Sequence, residues 1–290
     1  MYRRVVRLLS VAFLLPLIYV LALWLLSPDV SVLAHETPVR TSYMRLRAAE
    51  KRLPEDAYSV GVTPIDRVSL LLVCAVIKAE DRSFFRHRGV DMPAFQDAAL
   101  AWLKGDARRG GSTLTQQLAR NLYLSPERTV HRKLRELMVA RELEDTLGKR
   151  RILELYLNTV EWGEGVWGVA NASRFYFGRA PDDLDAFEAS FLASLLAAPR
   201  RPLVGGNAVR ARAVQRRVLR QLKNAGLLST EELQRDLLRM SELHVALEKG
   251  ETLGPQLLTL HAPAGDAPRS PSSGTFQRDD CIGMAWKRAR

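Results

Sequence analysis

The sequence predicts an all-α protein. Hydrophobic residues make up 47% of the 290 residues, which is enough to bury one sizeable core. Aromatic residues are scarce at 7%. Long segments with apolar residues at helical spacing outnumber segments in which apolar and polar residues alternate, and this difference favours helices over strands.

The N-terminal segment predicts a membrane anchor. Residues 1–7 form a basic N-terminus, and residues 8–28 carry no charge and are mostly apolar, with nine Leu among them. A helix of that length spans a bilayer. The arginines in front of it place the N-terminus in the cytoplasm and the rest of the chain outside the inner membrane. The alternative is a cleaved signal peptide, for which residues 31–34 make a poor cleavage site.

The remainder divides into four predicted parts. Residues 29–67 form a juxtamembrane segment whose basic residues suit either anionic lipid headgroups or a solvated helix face. Residues 68–203 predict a compact helical domain, because Gly, Pro and Ser segments typical of helix ends separate its apolar runs. Residues 204–250 predict a basic extension of one or two amphipathic helices. Residues 251–290 are rich in Pro, Gly and Ser, which predicts a disordered tail.

The net charge indicates which kinds of partner the protein binds. The net charge is +11 and the pI is near 10.0, which implies an anionic partner such as a membrane surface or a phosphorylated substrate. We do not expect nucleic acid, because the sequence contains no zinc-finger or RNA-recognition signature. The two cysteines, Cys74 and Cys281, are far apart and form neither a disulfide framework nor a metal-binding spacing, and Cys74 is predicted to be a core thiol.

The stretch VCAVIKAED predicts a helix that ends at Glu80. A carboxylate at the negative end of a helix dipole and beside apolar surface is disfavoured in its ionised form, so its pKa is expected to rise. A glutamate of this kind suits a general acid or base near neutral pH. The alternative is a solvated pair of Glu80 and Asp81.

The stretch TVHRKLREL predicts a second helix with a charged face. Arg132 and Lys133 lie four and three residues before Glu136, so the three side chains share that face. Two cations beside a glutamate suit a site that handles phosphate. The alternative is an exposed helix with weak salt bridges. The apolar positions at helical spacing are Val130, Leu134, Leu137 and Met138.

The stretch GGSTLTQQLARN, residues 110–121, is uncharged except for its arginine. Its two glycines allow a tight turn and the close approach of a ligand. Ser112 or Thr113 is expected to cap a helix, on which Thr113, Gln117 and Arg120 share a polar face. We interpret this face as a saccharide-binding wall that ends in a phosphate clamp. The apolar face consists of Leu114, Leu118 and Leu122.

Five motifs occur in the order found in glycosyltransferase family 51, the peptidoglycan glycosyltransferases. They are EDRSFFRHRG, GGSTLTQQLARN, RKLRE, KRRILELYLN and GVWGVANASRFYFG. The chain resembles this family from about Ser42 to Pro202, and YLNTVEWGEGVWG is most similar to the monofunctional biosynthetic transglycosylases. The sequence lacks the S-x-x-K, S-x-N and K-T-G set, so no transpeptidase site follows.

The resemblance implies a lysozyme-like helical domain with a membrane-embedded lobe. It implies polymerisation of lipid II into β-1,4-linked glycan strands, with inversion and release of undecaprenyl diphosphate. Glu80 matches the base that deprotonates the acceptor hydroxyl. Glu136 matches a second essential glutamate, which either positions the substrate or holds a divalent cation, Mg²⁺ or Mn²⁺, at the leaving diphosphate.

The resemblance also implies a set of substrate-binding residues. Arg120 stands where the family usually has lysine, and an arginine favours bidentate contact. Arg128 and Lys133 match cations near the diphosphate. The full implied set is Asp81, Phe84, Ser112, Thr113, Gln116, Gln117, Arg120, Arg128, Arg132 and Lys133.

Five further matched positions are expected to be structural or to depart from the family. His87 is expected to pack or to form hydrogen bonds rather than to act in catalysis. Tyr156 and Asn158 are expected to be structural. In the fifth motif, residues 170–171 are Ala-Asn where related sequences often have Glu-Ala.

Two other functions compete with a polymerase. A membrane-anchored lytic transglycosylase would not need the cations Arg120, Arg128 and Lys133, and a non-catalytic glycan-binding scaffold would not need both glutamates. The expected partners are lipid II, the growing glycan strand, anionic membrane lipids and other cell-wall synthesis proteins. The expected location is the inner membrane, crossed once, with the catalytic domain in the periplasm.

Overall fold

A computed structural model describes residues 2–105, 111–127 and 129–249, with residues 5–12 and 102 described by their backbone alone. This part of the chain is mostly helical, as predicted. It contains eleven α-helices and one two-stranded sheet. The helices are α1 (Tyr2–Leu25), α2 (Ser42–Glu50), α3 (Leu70–Glu80), α4 (Met92–Leu103), α5 (Leu114–Tyr123), α6 (Val130–Thr146), α7 (Lys149–Thr159), α8 (Val169–Phe177), α9 (Ala186–Leu195), α10 (Gly205–Asn224) and α11 (Thr230–Glu248).

Helix α3 lies at the centre of the core. Residues 71–77 are all buried, Cys74 among them as predicted, and the helix packs against α9 and α10. Every residue of α9 is buried as well. Because both helices are apolar on nearly all sides, each must be surrounded by other elements. The C-terminal end of α3, and with it Glu80, is therefore fixed by the core.

Helix α5 begins at the predicted cap and buries the predicted face. Of the two candidate caps, Thr113 occupies the position, and its Oγ1 accepts a hydrogen bond from the Gln116 backbone N–H at 3.2 Å. A cap of this kind stabilises a helix by about 1 kcal/mol. Leu114, Leu118 and Leu122 are buried, and α5 packs against α6 and α7.

The glycine before this helix allows a close approach by the protein itself. A Cβ added at Gly111 would lie 2.9 Å from the Ala98 Cβ and 3.1 Å from the Ala94 carbonyl oxygen. Both atoms belong to α4, so the missing side chain makes room for that helix rather than for a ligand. The preceding glycine, Gly110, lies outside the described residues.

A small antiparallel hairpin follows α7 and was not predicted. Strand β1 (Glu161–Gly163) pairs with β2 (Val166–Trp167), with Glu161 opposite Trp167. Gly165 in the turn has a φ of +77°, a conformation that favours glycine. The hairpin buries Trp162 and Trp167. Its strands are too short to produce the alternating pattern from which a strand is predicted.

The predicted basic extension forms two helices, α10 and α11. The apolar side chains Val218, Leu219 and Leu222 of α10 are buried, and this helix packs against α3 and α9. Helix α11 begins with a capping box between Ser229 and Glu232 and packs against α10 and α9. Helix α10 therefore contributes to the core that surrounds α3.

The N-terminal helix α1 contacts helix α6 through a tyrosine. The Tyr19 hydroxyl lies 2.5 Å from Nδ1 of His131 on α6, and most apolar side chains between Phe13 and Leu26 are exposed. Among the described residues, no helix is both long enough and apolar enough to cross a membrane. The side chains of residues 8–12, which belong to the predicted span, lie outside the described part, as do the predicted tail residues 251–290.

Candidate active site

Glu80 is the last residue of α3 and faces α5. Its carboxylate Oε2 accepts a hydrogen bond from Gln117 Nε2 at 2.9 Å. Desolvation by the surrounding protein raises the pKa of Glu80, and the Gln117 bond and the positive charges of Arg217 and Arg120 offset part of that rise. The predicted upward shift is present, with burial as its main cause. A carboxyl with a raised pKa suits proton transfer near neutral pH.

Gln117 is itself held by a buried tyrosine. The Tyr156 hydroxyl donates to Gln117 Oε1 at 3.0 Å, and Tyr156 is fully buried in α7. Burial, reinforced by the nearby negative charge of Glu80, raises the pKa of Tyr156 well above its usual value. The phenol therefore stays protonated at neutral pH and acts as a donor.

Glu136 is the buried member of a cluster of charges on α6. Only 1% of the residue is exposed. One carboxylate oxygen accepts from Arg132 and the other from Lys133, so the predicted shared face is present, with a buried carboxylate and two partly exposed cations. Lys133 Nζ also donates to Gln116 Oε1 at 2.9 Å and to Ser112 Oγ at 3.2 Å. This ammonium therefore joins the start of α5 to α6.

The residues around Glu136 do not fit a divalent cation. Both carboxylate oxygens are already bound by cationic side chains, and a Mg²⁺ or Mn²⁺ ion there would face two positive charges. Such ions are bound mainly by carboxylates and other oxygen ligands. Among the described residues, no group of three or more His, Cys, Asp and Glu side chains could hold a metal.

A cavity of about 530 Å³ opens beside these residues and is strongly basic. Gln117 lines it and so connects it to Glu80. The Arg120 guanidinium also lines it, lies 6.0 Å from the centre of the Tyr43 ring, and has a buried Nε without a hydrogen-bond partner among the described residues. Such a cavity attracts anionic ligands. Its arginines are Arg47, Arg120, Arg132, Arg200, Arg201 and Arg210.

Sequence reasoning missed several residues of this region. Glu161 lines the cavity and is buried, and desolvation raises its pKa, while a bond from the Gly165 N–H and the charge of Arg47 oppose the rise. Arg217 on α10 acts electrostatically on Glu80. The basic pattern of residues 204–250 identified Arg217 as cationic, but only the packing of α10 against α3 brings it near Glu80.

Asp81 has an internal role. Its Oδ2 accepts from the Leu114 backbone N–H at 3.0 Å, and His87 Nε2 lies 3.0 Å from both of its carboxylate oxygens. Asp81 is buried. It therefore joins the end of α3 to the start of α5, and His87 has the hydrogen-bonding role expected of it.

Three other residues expected to bind substrate also face the protein interior. Phe84 is fully buried, with Lys149 Nζ 4.4 Å from its ring centre. Gln116 is fully buried and donates to the Gly89 carbonyl at 3.1 Å, and the Thr113 hydroxyl donates to the same carbonyl at 2.7 Å. The positions of these three residues therefore do not support the expected contacts with substrate. Arg128 lies outside the described residues.

Side chains of the fourth and fifth motifs form hydrogen bonds that hold segments of the fold together. The Asn158 side chain accepts from the Thr63 N–H and donates to the Thr63 carbonyl, both at 2.8 Å. Asn158 therefore fixes the chain before α3 to α7, which is a structural role. In the fifth motif, Asn171 Nδ2 donates to the Trp167 carbonyl at 2.9 Å.

The fold and the site together define a helical enzyme with a carboxylate of raised pKa beside a cavity that suits an anionic substrate. The sequence pattern of the transglycosylase family matches residues 50–223. The chain belongs to this family. The match extends over α10 as far as residue 223.

Three relatives, each called biosynthetic peptidoglycan transglycosylase, show the extent of the similarity. The protein of Azoarcus sp. (strain BH72) is 39% identical over 204 residues, which cover 69% of this chain and 87% of the relative. That of Aromatoleum aromaticum is 44% identical over 171 residues, 58% of this chain and 74% of the relative. That of Nitrosomonas eutropha is 41% identical over 169 residues, which cover 56% of this chain and 68% of the relative.

Proposed function

We propose that this protein is a peptidoglycan glycosyltransferase that polymerises lipid II into β-1,4-linked glycan strands and releases undecaprenyl diphosphate. Membership of the transglycosylase family and the names of the relatives support the reaction class. The observation that carries the assignment of the site is the position of Glu80, a carboxyl of raised pKa one hydrogen bond from the arginine-lined cavity.

Glu80 acts as the general base. In its carboxylate form it accepts the proton of the acceptor 4-hydroxyl while that oxygen attacks the anomeric carbon of the donor. The bond between this carbon and the diphosphate oxygen breaks, and the diphosphate leaves with the electron pair. One base is enough for an inverting displacement, because no second carboxylate has to form a covalent intermediate. A raised pKa lies closer to the working pH and makes the carboxylate a stronger base.

The arginines of the cavity stabilise the leaving diphosphate. Negative charge grows on the diphosphate oxygens as the bond breaks, so fixed cations bind the transition state more strongly than the ground state. Arg120 suits this role because it lines the cavity and forms no ion pair among the described residues. Arg132 and Lys133 are already neutralised in part by Glu136, so we assign Glu136 to positioning these two cations.

The proposed location is the inner membrane, with the N-terminus in the cytoplasm and the catalytic helices in the periplasm. Residues 1–7 are basic and residues 8–28 uncharged, and the exposed apolar side chains between Phe13 and Leu26 suit a lipid environment. The proposed partners are lipid II, the growing strand and anionic lipids, together with other proteins of cell-wall synthesis.

Incubation of the purified full-length protein with lipid II in detergent or liposomes tests this function. We expect polymer and undecaprenyl diphosphate to appear together. A parallel incubation with preformed glycan strands distinguishes a lytic enzyme, which would shorten the strands and leave lipid II unchanged. Binding of strands without turnover of either substrate would instead indicate a scaffold.

A further inference from the structure

Tyr156 is buried in the core, yet only one side chain separates it from Glu80. Its hydroxyl donates to Gln117 Oε1 at 3.0 Å, and Gln117 Nε2 donates to Glu80 Oε2 at 2.9 Å. A single chain of hydrogen bonds therefore runs from α7 through α5 to α3. Sequence reasoning gave Tyr156 a structural role and Gln117 a role in substrate binding, and neither role requires this chain.

We propose that Tyr156 and Gln117 are positioning residues, which hold the Glu80 carboxylate in its base form and leave its second oxygen for the acceptor hydroxyl. The inference rests on the proposed function, since it takes Glu80 to be the general base. Neither residue transfers a proton in this account. Each acts only through the orientation and protonation state of Glu80.

The direction of the hydrogen bonds supports this role. A glutamine side chain has an oxygen that accepts and an NH₂ group that donates. Because Tyr156 donates, it requires the amide oxygen on its side, which turns the NH₂ group towards Glu80. That NH₂ group stabilises the ionised carboxylate and has no lone pair for a protonated one. Without the tyrosine hydroxyl, the amide is free to rotate by half a turn and to accept a proton from neutral Glu80.

Other charged side chains near Glu80 come from several helices. Arg120 comes from α5 and Arg217 from α10, and both favour the carboxylate, whereas Asp81 opposes it. Helix α9 contains one ionisable residue, Glu188, which pairs with Arg179. These charges act on Glu80 through space and impose no orientation on it. Gln117 is the residue that forms a hydrogen bond to its carboxylate among the described residues.

The test compares two tyrosine variants. Tyr156→Phe removes the hydroxyl at the start of the hydrogen-bond chain. Tyr176→Phe is the matched control, because Tyr176 is also buried and its hydroxyl donates to the Trp162 carbonyl at 3.3 Å, away from Glu80. For both variants and the parent, kcat and KM for lipid II are measured as a function of pH.

We expect Tyr156→Phe to lower kcat about five- to tenfold at neutral pH, the effect of losing one hydrogen bond in the chain that holds Glu80, with KM changed less than about twofold. The acidic limb of its kcat profile should move to higher pH, because the carboxylate has lost support for its ionised form. Tyr176→Phe should leave that limb in place. Gln117→Leu, which leaves Tyr156 unchanged, should move the limb in the same direction as Tyr156→Phe.

The proposal would be overturned if the acidic limb of the kcat profile lay at the parental pH in both Tyr156→Phe and Gln117→Leu. Glu80→Gln separates this outcome from failure of the proposed function. If Glu80→Gln is inactive while the limb is unmoved, Glu80 is the base but is not positioned by Tyr156. If Glu80→Gln retains normal turnover, both the assigned base and the positioning chain are wrong.

Discussion

At the scale of single residues, burial of Glu80 should cost stability at neutral pH. The pKa of Glu80 is raised in the folded state. Below the pKa of the unfolded state, Glu80 is protonated in both states and its ionisation costs no stability. As the pH rises through the folded pKa, the folded protein loses stability, because the carboxylate is less favourable in the folded state than in the unfolded state. We therefore expect Glu80→Gln to gain more stability relative to the parent at pH 7 than at pH 4. Urea unfolding at the two pH values measures this, and equal differences would show that the carboxylate is not desolvated.

Arg120 offers a second test at this scale. If it binds the leaving diphosphate, Arg120→Ala should lower kcat by about 10- to 100-fold, the value of one charge-assisted hydrogen bond. Arg120→Lys should recover most of the rate, because a point charge still neutralises a diphosphate. Initial polymerisation rates at saturating lipid II provide the measurement.

The matched control for Arg120 is Arg141→Ala. Arg141 forms an exposed pair with Asp145 on α6, and such pairs contribute little to stability. Its removal should leave the rate unchanged. The assignment of Arg120 fails if Arg120→Ala and Arg141→Ala polymerise lipid II equally fast.

At the scale of secondary-structure elements, the stability of the α11 packing should depend on pH through His244. This residue is buried, and desolvation together with the charge of Arg212 lowers its pKa from 6.5 to about 4. A lowered histidine pKa gives stability that is present above pH 6.5 and lost as the pH falls towards 4. By pH 4 that loss amounts to about 3 kcal/mol.

The measurement is the difference in unfolding free energy between the parent and His244→Gln from pH 7 to pH 4. The difference is needed because Asp236 on the same helix acts in the opposite direction. Burial raises the pKa of Asp236 to about 6, so its contribution grows as the pH falls. We expect the parent to lose stability relative to the variant, and parallel curves would show that His244 is protonated without penalty.

Long elements could be predicted from the sequence, and short ones could not. Helix α5 has a cap at Thr113 and a leucine face, and both signals lie within one stretch of chain. The end of α3 at Glu80 and the pairing of Glu136 also follow from local spacing. The hairpin at Glu161 offered too few residues for a pattern, because its two strands contain three and two residues.

At the scale of the whole molecule, the composition of the site depended on contacts between distant segments. Arg217 reaches Glu80 only because α10 packs on α3, and Tyr156 reaches Gln117 only because α7 packs on α5. The family resemblance predicted a role for both glutamates, but it could not separate residues that face the cavity from those, such as Gln116, that face the interior.

The N-terminal segment should matter for a lipid substrate at this scale. We expect a chain lacking residues 1–28 to polymerise lipid II in liposomes more slowly than the full-length chain, because an anchor raises the enzyme concentration at the bilayer. In detergent, where substrate and enzyme are dispersed, the two rates should be closer. Equal rates in liposomes would show that the segment determines only where the enzyme is located.

Glu80 is proposed to be the base of a lipid II polymerase, and the rate of Glu80→Gln is the most direct measurement of that role. The amide has nearly the same shape but cannot take up the acceptor proton. With purified lipid II, we expect the parent to release undecaprenyl diphosphate and the variant to be slower by about 100- to 10,000-fold, the usual contribution of a general base. Circular dichroism and thermal unfolding should show the variant folded. A folded variant that polymerises lipid II at close to the parental rate would contradict the account.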